Sequence, residues 1–229
     1  MMTALAIGLV LGVTVWWILI QRLMDKPWTR RGVLDGSQDG LTSSAPKVGL
    51  WLFMAMATSL FLIFNSAYLM RMGFGHGGLH PWVPLAEPGI LWFNTFVLIA
   101  ASAAMQTASG AARKGDIGGL RKYYTAGGVL SVVFLAGQLL AWRQLSATGQ
   151  YGPSDPAYSF FILLTAMHGL HLLGGLWVLG RTATRVWRGL DAQNVVAVGK
   201  VRQSVRLCTT YWHFLLLVWL GLFTQLTIT

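Results

Sequence analysis

The sequence predicts an all-α, polytopic membrane protein with six transmembrane helices, one N-terminal helix followed by a bundle of five. Hydrophobic residues make up 55% of the 229 residues and charged residues 10%, whereas about a quarter of the residues in soluble domains are charged. Six windows contain no Asp, Glu, Lys or Arg. Each is long enough to cross a hydrocarbon core of about 30 Å at about 1.5 Å per residue.

The six apolar windows divide the chain into three segments. In chain order the windows are Met1–Gln21, Val48–Met70, Pro88–Ala112, Tyr123–Trp142, Pro156–Gly180 and Leu207–Thr229. We therefore expect an N-terminal transmembrane helix over residues 1–22, a cytoplasmic loop over 23–46 and a five-helix bundle over 47–229. Gly, Ser and Pro are frequent between residues 23 and 46, which is typical of a loop. A β-barrel would need strands of about ten alternating residues, and these windows are longer and continuous.

The basic residues indicate how the chain is oriented. The formal net charge is +10, and fifteen of the 17 Lys and Arg residues fall in the three loops that follow the first, third and fifth windows. Because cytoplasmic loops carry the excess of Lys and Arg, we expect these loops in the cytoplasm and both termini outside. The positive charge is thus explained by topology and does not indicate a nucleic-acid partner.

The composition of the windows argues against several kinds of chemistry. Ion carriers and proton pumps place ionisable side chains within their spans, and the six windows contain none of the four charged residue types. His76 and His80, in a loop rich in Gly and Pro, have no carboxylate or thiol close to them in the sequence, so they do not predict a metal site. We predict no catalytic residue and no metal ligand in this chain.

Three histidines in the apolar windows leave two interpretations open. His168 and His171 are three residues apart, which predicts that they share one helix face with Gly175. His171 and His213 could ligate a haem between two helices. Alternatively, such side chains form hydrogen bonds between closely packed helices, and the residues alone favour this structural interpretation.

The candidate site residues are polar or aromatic side chains within the windows. We expect them to form hydrogen bonds between helices or to contact lipid headgroups. They are Trp51, Asn94, Gln138, His168, His171, Trp212 and His213.

Motifs in the last five windows are similar, in order and spacing, to those of one known family. They are KVGLWLFMAMATSLFLIFNSAYLMR from Lys47, FNTFVLIAASAAMQ from Phe93, FLAGQLLAW from Phe134, FFILLTAMHGLHLLGG from Phe160 and YWHFLLLVWLGLF from Tyr211. The chain from Lys47 onward resembles subunit III of the haem-copper respiratory oxidases.

The resemblance implies a function in aerobic respiration. Subunit III has no redox centre; it packs against subunit I, with subunit II in the same complex, binds phospholipid in a crevice, and sustains proton uptake and stability during turnover. Haem and copper then belong to the partner subunits, and the location is the bacterial cytoplasmic membrane. The histidines then correspond to motif histidines that form hydrogen bonds inside the bundle.

The sequence departs from the family at several positions and leaves other functions open. Ala57, Ala141 and Leu216 stand where carboxylates are frequent in the family, and one helix precedes the five where a long form has two. The chain could also be subunit III of a quinol oxidase or an accessory subunit of nitric oxide reductase. A small transporter or a haem-bearing membrane anchor is the alternative from a different class.

Overall fold

The computed structural model describes residues 39–75, 89–147, 156–187 and 195–228. The described elements are α1 (Asp39–Gly75), α2 (Ile90–Lys114), α3 (Ile117–Ala147), α4 (Pro156–Trp187) and α5 (Val195–Ile228). Each contains a stretch that is long and apolar enough to cross a membrane. The predicted all-α, multi-pass architecture is therefore confirmed for five spans, whereas the helix predicted in Met1–Gln21 lies outside the described residues.

The helices extend beyond the apolar windows. α3 begins at Ile117, before Arg121 and Lys122, and α1 begins at Asp39, so the last part of the predicted 23–46 loop is helical. A helix satisfies its own backbone hydrogen bonds in water as well as in lipid, and long basic side chains can extend from the membrane edge into water. A charge therefore marks the edge of the apolar span without ending the helix.

Helices α2 to α5 form a closed ring in which each helix packs against two others. α2 packs on α3, α3 on α4, α4 on α5, and α5 returns to α2. Large side chains fill the centre of this four-helix unit, among them the fully buried Met105, Phe134 and Leu172. Lipid tails are as apolar as these side chains, so close van der Waals packing is what stabilises the ring.

Glycines allow the helices to approach closely at two of these contacts. A Cβ atom on Gly127 of α3 would lie 2.9 Å from the Met105 sulfur, and one on Gly175 of α4 would lie 2.8 Å from Cε1 of Tyr211. Real Cβ atoms do not approach other atoms so closely. Larger residues would therefore push α3 from α2, or α4 from α5.

A two-residue turn joins α2 to α3. Gly115 has a φ of 75°, in the left-handed region, which glycine adopts without steric cost. The Asp116 N–H donates to the Ala111 carbonyl at 3.1 Å, and the Asp116 carboxylate accepts the Gly119 N–H at 2.9 Å. The turn thus closes the C-terminus of α2 and caps the N-terminus of α3, which makes these helices an antiparallel hairpin.

Helix α1 packs through its side chains and stands apart from the ring. Within the part of the chain that the structure describes, no Cα atom of α1 lies within 8 Å of a Cα atom of another helix. Aromatic side chains bridge this gap, since the His171 ring is 5.9 Å from Phe53 and 5.3 Å from Phe61, and Phe160 is 5.6 Å from Tyr68. The separation leaves an open crevice between α1 and the pair α4 and α5.

Candidate functional site

The crevice between α1, α4 and α5 has a volume of about 870 Å³. Its walls are mainly apolar and include Leu50 and Phe53 of α1 and Trp177 and Val178 of α4. Arg181 and Arg185, near the C-terminal end of α4, line the same space. A groove with apolar walls and cations near one end can accommodate an amphipathic molecule with an anionic head.

His171 lies on the α4 wall of the crevice. Its Nδ1–H donates to the carbonyl of Met167 one turn earlier, at 2.7 Å. The ring contacts Phe53 and Phe61 of α1, and the His171 carbonyl accepts the Tyr211 hydroxyl of α5 at 2.9 Å. His171 thus links its own helix to α1 through its imidazole ring and to α5 through its backbone carbonyl.

Tyr211 and Trp212 form the α5 wall and rest on Gly175. A Cβ atom on Gly175 would also lie 3.2 Å from two carbons of the Trp212 ring. Trp212 is fully buried, and its indole N–H donates to the Ser131 hydroxyl of α3 at 2.8 Å. Its polar group therefore bonds to protein across the ring of helices.

His213 points to another side of α5, towards α2. Its Nδ1 accepts a hydrogen bond from the Ser102 hydroxyl, and its Nε2–H donates to Oε1 of Gln106 at 3.1 Å. Ser102 is buried and Gln106 is exposed. His213 thus links α5 to two residues of α2.

His168 lies inside the four-helix unit. Its ring packs between Phe134 of α3, at 5.7 Å, and Trp219 of α5, at 5.3 Å. The side chain is fully buried, and neither ring nitrogen has a hydrogen-bond partner among the described residues. His168 and His171 therefore contact different neighbours, because three residues of helix separate the directions of their side chains by about 60°. Gly175 is buried like His168 and lines the crevice with His171.

Asn94 and Gln138 are the other buried polar residues of the predicted set. Both are almost fully buried in the four-helix unit, and the side-chain amides of both lack a partner among the described residues. The Asn94 amide lies against Gly137 of α3, where a Cβ atom would clash with it. Asn94 therefore depends on a glycine to fit between α2 and α3.

The predicted residues thus fall in separate places. His171 and Trp212 line the crevice, whereas Asn94, Gln138 and His168 are buried in the four-helix unit. Trp51 on α1 is 42% exposed. His171 and His213 contact α1 and α2 respectively, so they do not face one slot as a pair of haem ligands must.

Several hydroxyl residues outside the set of candidate site residues also form bonds between helices. Trp219 donates to Thr95 at 3.0 Å, and Trp142 donates to Thr165 at 3.0 Å. Ser and Thr in apolar helices ordinarily bond to a carbonyl of their own helix, as Thr95 also does. A tryptophan and a hydroxyl residue within apolar windows are a signal for such pairs, but the pairing itself depends on the tertiary structure.

Known proteins that are similar to the chain are respiratory oxidase subunits. The chain is 37% identical over 134 residues to "Probable cytochrome c oxidase subunit 3" of Mycobacterium bovis, covering 57% of this chain and 61% of that protein. It is 30% identical over 183 residues to "Cytochrome c oxidase subunit 3" of Thermostichus vulcanus, covering 79% of this chain and 86% of the relative. It is also 31% identical to "Cytochrome bo(3) ubiquinol oxidase subunit 3" of Pseudomonas aeruginosa, covering 77% of this chain and 81% of the relative.

The similarity extends over the whole length of the sequence. A family model described as "Cytochrome c oxidase subunit III" matches residues 2–228. The relatives carry the same family name or that of a related oxidase subunit, and five described helices are able to span a membrane. The chain is a multi-pass membrane protein that belongs to the cytochrome c oxidase subunit III family.

Proposed function

We propose that the chain is the non-catalytic subunit III of a haem-copper terminal oxidase in aerobic respiration. It packs against subunit I within a complex that also contains subunit II. Family membership supports this role, and so does the chemistry of the described spans, which contain no Asp or Glu. Because carboxylates are the usual proton carriers within membranes, the proton path and the redox centres of the complex belong to other chains.

The crevice is the single observation that carries a more specific role, which is the binding of phospholipid. Its apolar walls suit acyl chains, and Arg181 and Arg185 provide cations for a phosphate group. A bound lipid fills the space between α1 and the four-helix unit, where side chains alone bridge the gap. Lipid held there stabilises the packing of this subunit, and through it proton uptake and the stability of the oxidase during turnover.

The decisive experiment compares the purified oxidase with and without this chain. We expect the initial rate of oxygen consumption to persist without it, and inactivation during turnover to become faster. Re-adding the purified chain is the control for damage caused by its removal. If removal abolishes the initial rate while subunit I keeps its haems, the chain takes part in the chemistry and the proposal is wrong.

Haem and copper belong to the partner subunits under this proposal, and the chain alone is colourless. An absorption spectrum of the purified chain tests this against the haem-bearing anchor. Stoichiometric haem that is lost in His171→Ala would favour the anchor. Uptake of a substrate by vesicles containing the chain alone would favour the small transporter.

Cytochrome c is the proposed electron donor of the complex, because the family model and the Mycobacterium and Thermostichus relatives carry the name of cytochrome c oxidase. A quinol oxidase is the second candidate, favoured by the Pseudomonas relative. The purified complex given reduced cytochrome c or ubiquinol in turn distinguishes the two. Faster oxygen consumption with ubiquinol would assign the chain to a quinol oxidase.

The proposed location is the bacterial cytoplasmic membrane, with both termini outside and the basic loops in the cytoplasm. The distribution of Lys and Arg along the sequence supports this orientation. Labelling of single cysteines in intact cells tests it. We expect positions Gly118 and Gln193 to be protected, and positions His76 and Gly149 to react; the reverse pattern would contradict the orientation.

A further inference from the structure

A second pocket, lined mainly by polar residues, lies at one end of α1, α2 and α5. It has a volume of about 480 Å³, and its lining includes Lys47 of α1, Ser109 and Arg113 of α2, and Arg202 and Arg206 of α5. We call this space the basic pocket. It shares no lining residue with the crevice, so it is a separate site.

Helical spacing explains how the basic side chains converge. Arg202 and Arg206 are four residues apart and therefore lie on one face of α5, and Ser109 and Arg113 are related in the same way on α2. Lys47 comes from the beginning of the α1 span, at Pro46–Arg71. Three helices that are distant in sequence thus direct four cationic side chains to one cavity.

The four cations lack anionic or hydrogen-bonding protein partners within the described residues. Asp116 is a carboxylate at this end of the bundle, and it accepts the Gly119 N–H. Arg121, near the same end, does have protein partners: it donates to the Val186 carbonyl at 3.1 Å and stacks over the Trp187 ring at 5.3 Å. The cations of the basic pocket instead face one another across an open space, where their mutual repulsion favours a bound anion.

The depth of the pocket indicates which anion is available. Lys47 follows the first residue of its span, Arg113 precedes the last residue of its span, and Arg202 lies in the first turn of the span Gly199–Thr227. These positions are at the edge of the apolar layer, where lipid phosphates are concentrated. Guanidinium groups bind phosphate oxygens with two parallel hydrogen bonds, and basic pockets between transmembrane helices bind anionic headgroups.

We propose that the basic pocket binds a phosphate group through Lys47, Arg113, Arg202 and Arg206. Ser109, buried at the α2 wall, supplies a hydroxyl that can donate to the same group. The phosphate can come from the headgroup of an anionic phospholipid or from phosphate in solution. This inference goes beyond the proposed function and does not depend on whether the crevice holds a lipid.

The test uses the purified oxidase complex containing the full chain, exchanged into detergent with added phosphatidylglycerol or phosphatidylcholine. Native mass spectrometry then counts the lipids retained by this subunit. We expect the wild-type chain to retain one more lipid molecule when phosphatidylglycerol is added than when phosphatidylcholine is added. The double variant Arg202→Gln/Arg206→Gln should bind phosphatidylglycerol about tenfold more weakly or worse, as expected when charge-assisted hydrogen bonds are lost.

A matched control distinguishes the loss of this site from a general effect of removing positive charge. Lys114 and Lys122 are exposed and lie outside the basic pocket, and Lys114→Gln/Lys122→Gln removes the same charge from the same end of the molecule. We expect this variant to retain phosphatidylglycerol like the wild type. Equal losses in the two variants would overturn the proposal, and so would equal retention of the two lipids by the wild type together with no binding of inorganic phosphate.

Two further measurements distinguish the sources of phosphate and guard against a variant that does not assemble. Displacement of the extra phosphatidylglycerol by millimolar inorganic phosphate would support the phosphate site and assign it to soluble phosphate, whereas retention would support the lipid headgroup. A phosphatidylglycerol with a photoreactive headgroup, used on the wild-type complex, should label peptides that contain Arg113 or Arg202. Labelling confined to residues of the crevice would overturn the proposal.

Discussion

Gly175 is the position where a single methyl group should have a large effect. In Gly175→Ala the new Cβ would lie 2.8 Å from Cε1 of Tyr211 and 3.2 Å from two carbons of Trp212. Neither ring can move freely, because Tyr211 donates to the His171 carbonyl and Trp212 to the Ser131 hydroxyl. The substitution must therefore separate α4 from α5 or break one of these bonds.

The expected size of the effect follows from two destabilising contributions and one stabilising contribution. Overpacking a well-packed core costs about 1–3 kcal/mol, and each hydrogen bond lost costs about 0.5–1.5 kcal/mol. Replacing glycine by alanine within a helix regains about 1 kcal/mol. With one hydrogen bond lost, the net destabilisation of Gly175→Ala is therefore about 0.5–3.5 kcal/mol.

The assay is thermal unfolding of the detergent-purified protein, followed by tryptophan fluorescence. Gly180 is the matched control, because it lies on the same helix and a Cβ atom there meets nothing within 4 Å. We expect Gly175→Ala to lower Tm by several degrees and Gly180→Ala to leave it unchanged or raise it. Equal shifts in both variants would refute the argument that α4 and α5 require glycine for contact.

Three further substitutions test the turn, a bond between helices and a buried imidazole by the same thermal assay. Asp116→Ala removes the acceptor of the Gly119 N–H and should cost about 0.5–2 kcal/mol, whereas Asp116→Asn should cost less; equal effects would argue against the cap. Ser131→Ala leaves the buried Trp212 indole N–H unsatisfied and should cost about 1–2 kcal/mol, with a shift in tryptophan emission; an unchanged Tm and spectrum would contradict this bond. His168→Leu removes a buried imidazole without a described partner and should raise Tm, so a marked loss of stability would mean that His168 has a polar partner.

The sequence was a good guide to the spans and a poorer one to their ends. Apolar length is a local property, so each of the five later windows could be assigned without knowledge of its neighbours. The helix ends depend on contacts that charge counting does not include. Arg121 interrupts the apolar sequence but lies within α3, where it donates to the Val186 carbonyl of α4.

The candidate residues show the limit of prediction more clearly. Trp212 and Ser131 are 81 residues apart, and His213 and Ser102 are 111 residues apart. Such pairs depend on how each helix is rotated about its axis, and the apolar windows have no strongly polar face that would indicate this rotation. The type of residue could be predicted from the sequence, but its partner could not.

The separation of α1 from the four-helix unit has a consequence for biogenesis. The ribosome makes α1 before the other four described helices, yet the aromatic partners of its side chains lie on α4 and α5, which are made last. α2 and α3, joined by a two-residue turn, can pair as soon as both have entered the membrane. Among the described helices, α1 therefore gains these aromatic contacts only after α4 and α5 have been made.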